Sequence, residues 1–456
     1  MNPLPTDAVL PQLAVALDPV AMAAAFGEVL RPHGMQIDAC HVERVKYRPG
    51  RNATLAYRLC LRDAGWNVFE QHVAARLCGD RSADRIVRGS AATLGPSPAG
   101  PSLHWLQALD MLTWWWPNDP KLRAPRALSD PAVLRDQVLP ALMPALGADA
   151  GAVDACEFEI VQYVPEHRLC ARVDLRWRAA AAVHAQRVYC KASREPAAAT
   201  VHALLVQLHE SQAWRDGRLH TPRPLLWHAP TETVWQEGMP GRPLLDASPH
   251  LQAACAPAVG EQLAALHATP TATPRELTPA TMRDRLAEVV RVLSPLLGGP
   301  ALDAAVRALE AGWAALGDGE PASTLHGDFH GRNILVEDLR AGPRVALIDL
   351  DGVHRGPAVL ELGAWVADAI YRAALEGAPV DRDRQAWRTL IDAYVAAGGS
   401  RPQPRALDWA VAWNLLTQRA WRCAVNLKPG RYALAPRLIQ LAADFAGRGG
   451  AEEVAC

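Results

Sequence analysis

Hydrophobic and polar residues follow two different periods along the chain. In Cys40–Arg76 and Cys156–Lys191 apolar and polar residues alternate around tight turns, whereas from Leu251 onward apolar residues recur at helical spacing in long segments. Alternation predicts antiparallel strands, and spacings of three and four predict amphipathic helices. Since the strands and the long helices occupy separate parts of the chain, the pattern favours an α+β fold class.

The two strand-rich segments are related to each other. CHVERVKYRPGRNATLAYRLCL (Cys40–Leu61) aligns without a gap to CEFEIVQYVPEHRLCARVDLRW (Cys156–Trp177). After a shift of one residue, QHVAAR (Gln71–Arg76) aligns to QRVYCK (Gln186–Lys191). The chain therefore contains one small β-rich unit twice.

Composition narrows the class of protein. The 456 residues suffice for more than one folding unit, half of them are hydrophobic, and the formal net charge is −1. Neither intrinsic disorder nor the basic field of a nucleic-acid binder fits these values. The sequence has no apolar run of bilayer length, no basic start typical of a secretory signal and no Cys-x-x-Cys pair. We expect a cytoplasmic globular protein with reduced cysteines and no nucleic-acid or membrane partner.

One polar stretch carries candidate chemistry. LHGDFHGRNILVED (Leu325–Asp338) places His326, Asp328 and His330 at alternate positions, which is compatible with a metal site of the His-x-Asp-x-His kind. Asn333 follows Asp328 after four intervening residues. That spacing is the one found in the catalytic loop of protein kinases, where the aspartate accepts a proton and the asparagine holds Mg²⁺.

A second polar segment, VALIDLDG, ends in Asp349 and Asp351. Together with Asp328 and Asn333 it supplies carboxylate and amide oxygens across a predicted strand, turn and strand. Such oxygens suit Mg²⁺ better than zinc. The two segments therefore indicate phosphoryl transfer rather than zinc hydrolysis.

A resemblance to a known family is carried by HGDFHGRNIL and, after it, ALIDLDGVHRGPAVLELGAW. These segments closely resemble the aminoglycoside phosphotransferase and choline kinase family, whose motif is His-Gly-Asp-x-His-x-x-Asn followed by Ile-Asp. Upstream, RVYCKAS, VWQEGMPGRPL and VGEQLAALHA look like its lysine strand, hinge and first large-lobe helix. The resemblance covers Cys156 to the C-terminus and implies a protein-kinase-like fold with a β-rich small lobe and a mostly helical large lobe.

The resemblance also implies roles for the residues of the polar stretches. Asp328 is expected to act as the catalytic base, with Asn333 and Asp349 holding Mg²⁺. Asp351 is expected either to join the metal shell or to face the substrate. His326 is expected to support the catalytic loop.

The neighbouring His330 is expected to lie close to that loop. For ATP or GTP, the resemblance implies that Lys191 binds the α- and β-phosphates and that the backbone of Glu237 and Met239 pairs with the base. No Gly-rich loop precedes Lys191, so backbone N–H groups, or His167 and Arg168, would cover the phosphates.

Two departures from the family pattern stand out. The helix after Lys191 offers His202 where an acidic partner is expected, and Glu195 and Glu210 are weak candidates for that partner. In addition, a Glu-Leu-Gly sequence beginning at Glu361 stands where the family has Asp-Leu-Ala. The first departure bears on nucleotide placement more than on the chemistry.

The acceptor is left open by the sequence, beyond being a small molecule with a hydroxyl group. Acidic and basic residues are about level from Leu251 onward, which does not indicate a site for a polycation. Sugars, nucleoside antibiotics and a peptide serine or threonine all stay possible acceptors. A group of aromatic and basic residues near the C-terminus fits neutral, aromatic or anionic acceptors, although helix packing explains the tryptophans better: Trp387, Trp409, Trp413, Trp421, Arg419 and Arg422.

Two other classes of function remain in view. One is a nucleotide-binding regulatory or scaffolding protein with little turnover, because of the missing Gly-rich loop. The other is a metal hydrolase that uses His326, Asp328 and His330. The sequence does not predict an oligomeric state.

The repeat predicts the domain organisation: residues 1–148 as a degenerate small-lobe-like domain, 149–240 as the kinase-like N-lobe and 241–456 as the helical C-lobe. In the first copy Arg76 stands in place of Lys191, and WWWPNDP (Trp114–Pro120) can be laid over the hinge segment VWQEGMP. A guanidinium does not replace an ammonium between phosphates. We therefore expect the first copy to bind no nucleotide and to serve as a cap, a docking surface or a wall of the substrate site.

Overall fold

Two five-stranded antiparallel sheets with the same strand order precede a mostly helical region. The computed structural model describes residues 4–79, 94–149, 151, 153–179, 182–273, 275–313, 322–340 and 342–448. The predicted α+β fold, with a β-rich lobe and a mostly helical lobe after an extra N-terminal sheet, is confirmed.

The first sheet follows two helices, α1 (Leu13–Ala16) and α2 (Pro19–Leu30). Its strands are β1 (Gln36–Arg48), β2 (Asn52–Arg62), β3 (Val68–Cys78), β4 (Leu103–Leu106) and β5 (Met111–Trp115), in the order β1-β2-β3-β5-β4. Three short helices then lead to the second sheet: α3 (Ala124–Leu128), α4 (Pro131–Val133) and α5 (Leu139–Leu142).

The second sheet repeats this plan. Its strands are β6 (Val153–Val164), β7 (Arg168–Ala179), β8 (Ala182–Ser193), β9 (Pro224–His228) and β10 (Thr233–Glu237), in the order β6-β7-β8-β10-β9. Between β8 and β9 lie α6 (Ala198–Glu210) and α7 (Gln212–Arg215).

The strand register confirms the internal repeat. Arg76 lies opposite Leu112 on β5, as Lys191 lies opposite Val234 on β10. The predicted overlay of WWWPNDP on the hinge segment is wrong by two residues. Trp115 pairs with β3 as Glu237 pairs with β8, whereas the overlay placed the residue two positions after Trp115 there.

The helical lobe contains two small sheets among its helices. Its strands are β11 (Arg242–Pro243), β12 (Ser323–Leu325), β13 (Ile334–Leu339), β14 (Gly342–Leu347) and β15 (His354–Gly356). Its helices are α8 (Pro249–Ala268), α9 (Pro279–Leu297), α10 (Pro300–Ala311), α11 (Val359–Leu375), α12 (Arg384–Ala396), α13 (Pro404–Asn414), α14 (Trp421–Asn426) and α15 (Ala435–Gly447).

Tryptophans form part of the core of this lobe. Trp387, Trp409 and Trp413 are all buried, and the rings of Trp409 and Trp413 stack with centroids 5.5 Å apart. Trp409 Nε1 donates a hydrogen bond to Leu309 O at 2.9 Å, which satisfies its buried polar atom. The prediction that these tryptophans pack helices together is confirmed.

The first sheet touches both lobes. Leu112 and Trp114 share one buried cluster with Tyr163 and Leu169 of the second sheet. On its other face, the core of the first sheet includes Leu427, which follows α14. Because these cores run across the predicted borders, the domain limits at residues 148 and 240 stay a prediction.

Two further observations concern sequence expectations. The eight cysteines described by the structure are all free thiols. None of the helices among the described residues has both the length and the apolar character needed to cross a membrane.

Candidate active site

A loop between β12 and β13 carries the first polar stretch. β12 pairs with β15, and β13 pairs with β14, so the loop and the end of β14 are brought to the same place. Gly327 makes the turn possible, because its φ is 84° and a Cβ there would lie 2.1 Å from Gly352 O. Both the left-handed backbone and the close approach require glycine.

A buried carboxylate, that of Glu361, holds the backbone of this loop. Glu361 Oε2 accepts a hydrogen bond from His326 N at 2.7 Å, and its Oε1 accepts one from Gly327 N at 2.8 Å. His267 Nε2 lies 3.1 Å from Glu361 Oε2. Burial would raise the pKa of Glu361, but the hydrogen bond and charge of His267 outweigh it and leave the pKa below its usual value. Glu361 is thus a charged anchor for the loop backbone.

The departure from the Asp-Leu-Ala pattern now has a structural explanation. Glu361 does the anchoring, and Gly363, two residues later on α11, faces α13 at very short range. A Cβ at Gly363 would lie 2.6 Å from the backbone of Ala410. Sequence reasoning noticed this segment but did not assign Glu361 a contact with the loop.

We expect Glu361→Gln to destabilise the fold by about 1–3 kcal/mol at pH 7, because the amide leaves a buried donor or acceptor unmatched and removes a charge-assisted bond. The depressed pKa means that the carboxylate stabilises the fold above its unfolded-state pKa and loses this effect as the pH falls. The difference between wild type and variant should therefore shrink below about pH 4. Urea unfolding at pH 7 and at about pH 3 measures it.

Glu28→Gln is the matched control, since Glu28 pairs only with Arg31 on the exposed surface. Equal unfolding free energies for Glu361→Gln and wild type at pH 7 would contradict the anchoring role.

Asp328 lies among cationic groups. Arg422 Nη1, from α14, lies 3.1 Å from Asp328 Oδ1, and His330 Nε2 lies 3.5 Å from Asp328 Oδ2. Burial alone would raise the pKa of the Asp328 carboxyl, but the hydrogen bond of His330 and the charges of Arg422 and Arg419 hold it well below its usual range. Asp328 is therefore an ionised carboxylate. The contact with Arg422 was not foreseen from the sequence.

The two histidines of the loop have separate surroundings. His326 is fully buried, and its Nε2 lies 2.9 Å from Ile348 O, so this nitrogen carries the proton. His330 begins the short turn Gly331–Asn333, and its Nδ1 accepts a hydrogen bond from Arg332 N at 3.2 Å.

These positions do not form the metal site of the His-x-Asp-x-His interpretation. In the part of the chain that the structure describes, no group of three or more His, Cys, Asp or Glu side chains is placed to hold a metal ion. The metal hydrolase reading with His326, Asp328 and His330 therefore finds no cluster to support it.

Lys191 joins the small lobe to the end of β14. Its Nζ donates to Asp349 Oδ1 and to Asp351 Oδ1, each at 2.9 Å. Burial would lower the pKa of Lys191, but the two carboxylates raise it above its ordinary value. Its ion pairs are thus with these aspartates and not with Glu195 or Glu210.

The helix after Lys191 gives it no acid, and the Nδ1 of His202 on that helix is buried without a hydrogen-bond partner in the described part of the chain. Asp349 has a φ of 60°, in the left-handed region that non-glycine residues seldom adopt. Such strain at a polar residue is typical of functional sites.

The side-chain oxygens of Asn333, Asp349 and Asp351 suit a hard cation as ligands. Ile348 N donates to Asn333 O at 3.0 Å, so Asn333 and Asp349 start from neighbouring backbone positions. Asn333 Nδ2 donates to Asp328 O at 2.9 Å, which directs its amide nitrogen away and leaves its oxygen as a potential ligand. Two carboxylates and one amide suit Mg²⁺, which takes few protein ligands and completes its shell with water and phosphates.

The hinge segment borders a cavity of about 320 Å³. Glu237, Met239, Leu335 and Ala346 are among its lining residues. Glu237 N is bonded to Arg223 O at 2.9 Å, so that backbone donor is already used. An apolar floor beside a backbone segment is the usual setting for a planar base.

An unexpected contact involves the hairpin between β6 and β7, which occupies the place of a Gly-rich loop. Glu166, at its tip, has a φ of 66° and forms ion pairs with Arg76 and Lys121. Both belong to the N-terminal unit, by which we mean the first sheet with the helices before and after it. Lys46 Nζ lies 2.8 Å from His167 Nε2. Arg76 thus holds this hairpin, although the repeat placed it in the position of Lys191.

Asp119 strengthens the same contact, accepting hydrogen bonds from Tyr163 Oη at 2.6 Å and from Glu166 N at 3.0 Å. Arg168, at the base of the hairpin, lies near enough to Asp349 for its charge to contribute to the lowered pKa of that carboxyl, after burial and Lys191. The structure therefore brings Arg168, Lys191 and the two aspartates together, and places Glu237 and Met239 at the separate hinge cavity.

Comparison with known proteins supports the sequence motifs. The model of the phosphotransferase enzyme family matches residues 186–407. No curated protein sequence shows significant similarity to the chain.

Solved structures similar to the chain include several kinases. An aminoglycoside phosphotransferase, a thermostable mutant with ADP and hygromycin B, is 17% identical over 66% of this chain and 96% of its own, with a TM-score of 0.43. The ethanolamine kinase of Plasmodium vivax is 10% identical over 70% and 89%, with a TM-score of 0.47. A choline/ethanolamine kinase family protein of Mesorhizobium loti is 16% identical over 69% and 99%, with a TM-score of 0.43.

The family match includes the lysine strand, the hinge, the catalytic loop and the Ile-Asp segment. The predicted resemblance is confirmed over residues 186–407, which match the model of the phosphotransferase enzyme family.

Proposed function

We propose that the protein transfers the γ-phosphate of ATP or GTP to a hydroxyl group of a small molecule. The observation that carries this proposal is the meeting of Lys191, from the small lobe, with Asp349 and Asp351 next to the loop of Asp328. Phosphoryl transfer depends mostly on positioning and on charge neutralisation, which such a group of residues provides.

Asp328 would receive the proton of the acceptor hydroxyl. Its ionised state at neutral pH, maintained by His330 and Arg422, is the state that a proton acceptor needs. Hydrogen bonds of the loop backbone to Glu361 would hold the Asp328 carboxylate in position.

Asn333, Asp349 and Asp351 would hold Mg²⁺, which neutralises phosphate charge when bound. In this structure, Lys191 neutralises the charges of both aspartates. In the nucleotide complex it would turn from these carboxylates to the α- and β-phosphates, with Arg168 covering the phosphates from the hairpin side. The base would lie at the hinge cavity beside Met239.

A screen for nucleotide-dependent phosphorylation tests the proposal. Purified protein, Mg²⁺ and ATP or GTP are incubated with neutral, cationic and anionic hydroxyl compounds and with serine and threonine peptides. Transfer of labelled γ-phosphate to a small molecule is the expected result. Binding of nucleotide without transfer to any compound, and without hydrolysis, would favour the second candidate.

That second candidate is a nucleotide-binding regulatory or scaffolding protein. It is favoured by the hairpin in place of a Gly-rich loop, whose tip is bound by Arg76 and Lys121 of the N-terminal unit. A hairpin held in this way covers phosphates with fewer free backbone N–H groups than a glycine-rich one.

We predict one nucleotide site per chain, because Arg76 is engaged with Glu166 and, among the residues that the structure describes, has no aspartate pair of the kind that Lys191 has. Titration calorimetry with a non-hydrolysable nucleotide and Mg²⁺ should give a stoichiometry of one for wild type and for Arg76→Ala. Lys191→Met is the matched comparison and should weaken binding about tenfold or more. Two sites per chain, one of them lost in Arg76→Ala, would refute this prediction.

A further inference from the structure

Two cationic side chains without partners in the described part of the chain lie near Arg422, which pairs with Asp328. Arg44 on β1 and Lys428 after α14 form no hydrogen bond or ion pair with their side chains to any residue that the structure describes. Arg422, six residues before Lys428, has Asp328 as its partner. We call Arg44, Arg422 and Lys428 the cation cluster.

Packing between the N-terminal unit and the helical lobe assembles this cluster. Strand β1, which carries Arg44, lies against α14, which carries Arg422. Leu427 is buried in the core of the first sheet and adopts a φ of 45°, so the chain turns sharply just before Lys428. The position of Lys428 beside β1 is therefore fixed by the fold.

The charges of the cluster repel one another. Partial burial, then the charges of Arg44, Arg431, Arg332 and Arg422, lower the pKa of Lys428. Burial and the charge of Arg168 lower the pKa of Arg44, which only the adjacent Glu43 offsets.

Arg44 is half-buried and Lys428 beside it is exposed. A folded chain that leaves a half-buried cation unpaired next to a second cation gives up stability there. The same arrangement attracts an anion, because neighbouring cations raise its local concentration and can bind its oxygens in pairs.

We propose that the acceptor carries an anionic group, a phosphate or a carboxylate, and that Arg44 and Lys428 bind this group while its hydroxyl faces Asp328. This inference rests on the proposed function, since it identifies the substrate class of the same site. It also gives the N-terminal unit a part in substrate specificity, because Arg44 belongs to it. Cationic acceptors such as amino alcohols would be repelled by the cation cluster.

A binding measurement tests the inference without knowledge of the acceptor. Sulfate is titrated into the full chain, first saturated with a non-hydrolysable ATP analogue and Mg²⁺, and the affinity is followed by thermal shift at constant ionic strength. Arg44→Gln and Lys428→Gln should each weaken sulfate binding about tenfold. Arg401→Gln is the control, since Arg401 pairs with Asp392 on the exposed surface. Sulfate binding that is absent in wild type, or equal in all variants, overturns the inference.

A second measurement compares matched acceptors. A sugar and its phosphate ester or its acid are offered under the conditions of the phosphorylation screen. The anionic form should be the better acceptor, and Arg44→Gln should raise its KM with kcat nearly unchanged. Transfer restricted to neutral or cationic compounds overturns the inference while the proposed function stands.

Failure of the proposed function has a different signature, namely no binding of the nucleotide analogue with Mg²⁺. In that case sulfate titration without nucleotide still tests the cation cluster. If Arg44→Gln weakens binding of the nucleotide analogue and not of sulfate, the cluster serves the nucleotide, and the inference is wrong.

Discussion

Asp328→Ala is expected to lower the rate of phosphoryl transfer by about a thousandfold or more, because the variant has no carboxylate to position the acceptor hydroxyl and accept its proton. Binding of nucleotide with Mg²⁺ should change little, since Asp328 bonds to Arg422 and His330 and not to Lys191 or the residues proposed to hold Mg²⁺. Steady-state rates and calorimetric nucleotide affinity, measured on the same preparations, test both parts.

Two comparisons make this result specific. Asp338→Ala removes an exposed carboxylate at the end of β13, in the same strand that follows the loop, and should keep wild-type rates. Asp328→Asn keeps the size of the side chain and should be about as inactive as the alanine variant. Wild-type turnover in Asp328→Ala would remove the central assignment of the site.

Asp349→Asn is expected to weaken both Mg²⁺-dependent nucleotide binding and turnover, each by about tenfold or more, because a charged ligand of the proposed Mg²⁺ site is lost. Asparagine is preferred over alanine here, since Asp349 has a φ of 60° and asparagine tolerates the left-handed region. Asp349→Ala should show the same binding defect with an added loss of stability.

Calorimetry with and without Mg²⁺ separates the effect on metal from that on nucleotide. The variant should bind nucleotide in EDTA about as weakly as wild type does, and Mg²⁺ should restore little of the affinity. If the variant and wild type had equal affinities in the presence of Mg²⁺, Asp349 would not be a metal ligand.

The sequence predicted the parts of the site that depend on local spacing. Asp328 and Asn333 lie in the loop before β13, and Asp349 follows β14. Because β13 and β14 pair as a hairpin, these three residues come close together. The sheet repeat was also accessible, because alternation and the conserved spacing of the two copies determine strand order.

Contacts between distant residues were not accessible from the pattern. Glu361 binds the loop from 34 and 35 positions away, and Arg422 reaches Asp328 from 94 positions away. Local periodicity tells which side chains are buried or exposed but not which distant charges meet. Lys191 shows the same limit, since its partners came from the helical lobe and not from the helix after it.

The hinge overlay failed for a related reason. Moving a strand by two residues keeps every side chain on the same face, so alternation cannot detect such an error. Only the hydrogen-bonded register, which places Trp115 opposite Val73, resolves it.

The N-terminal unit is attached to both lobes, which bears on the rotation of one lobe relative to the other. Opening and closing of a two-lobed kinase changes the distance between the small and the helical lobe across the hinge. Here Asp119 is bonded to the hairpin of the small lobe while the core of the first sheet encloses Leu427 of the helical lobe. The N-terminal unit thus connects the two lobes, and any large rotation between them has to break one of these two attachments.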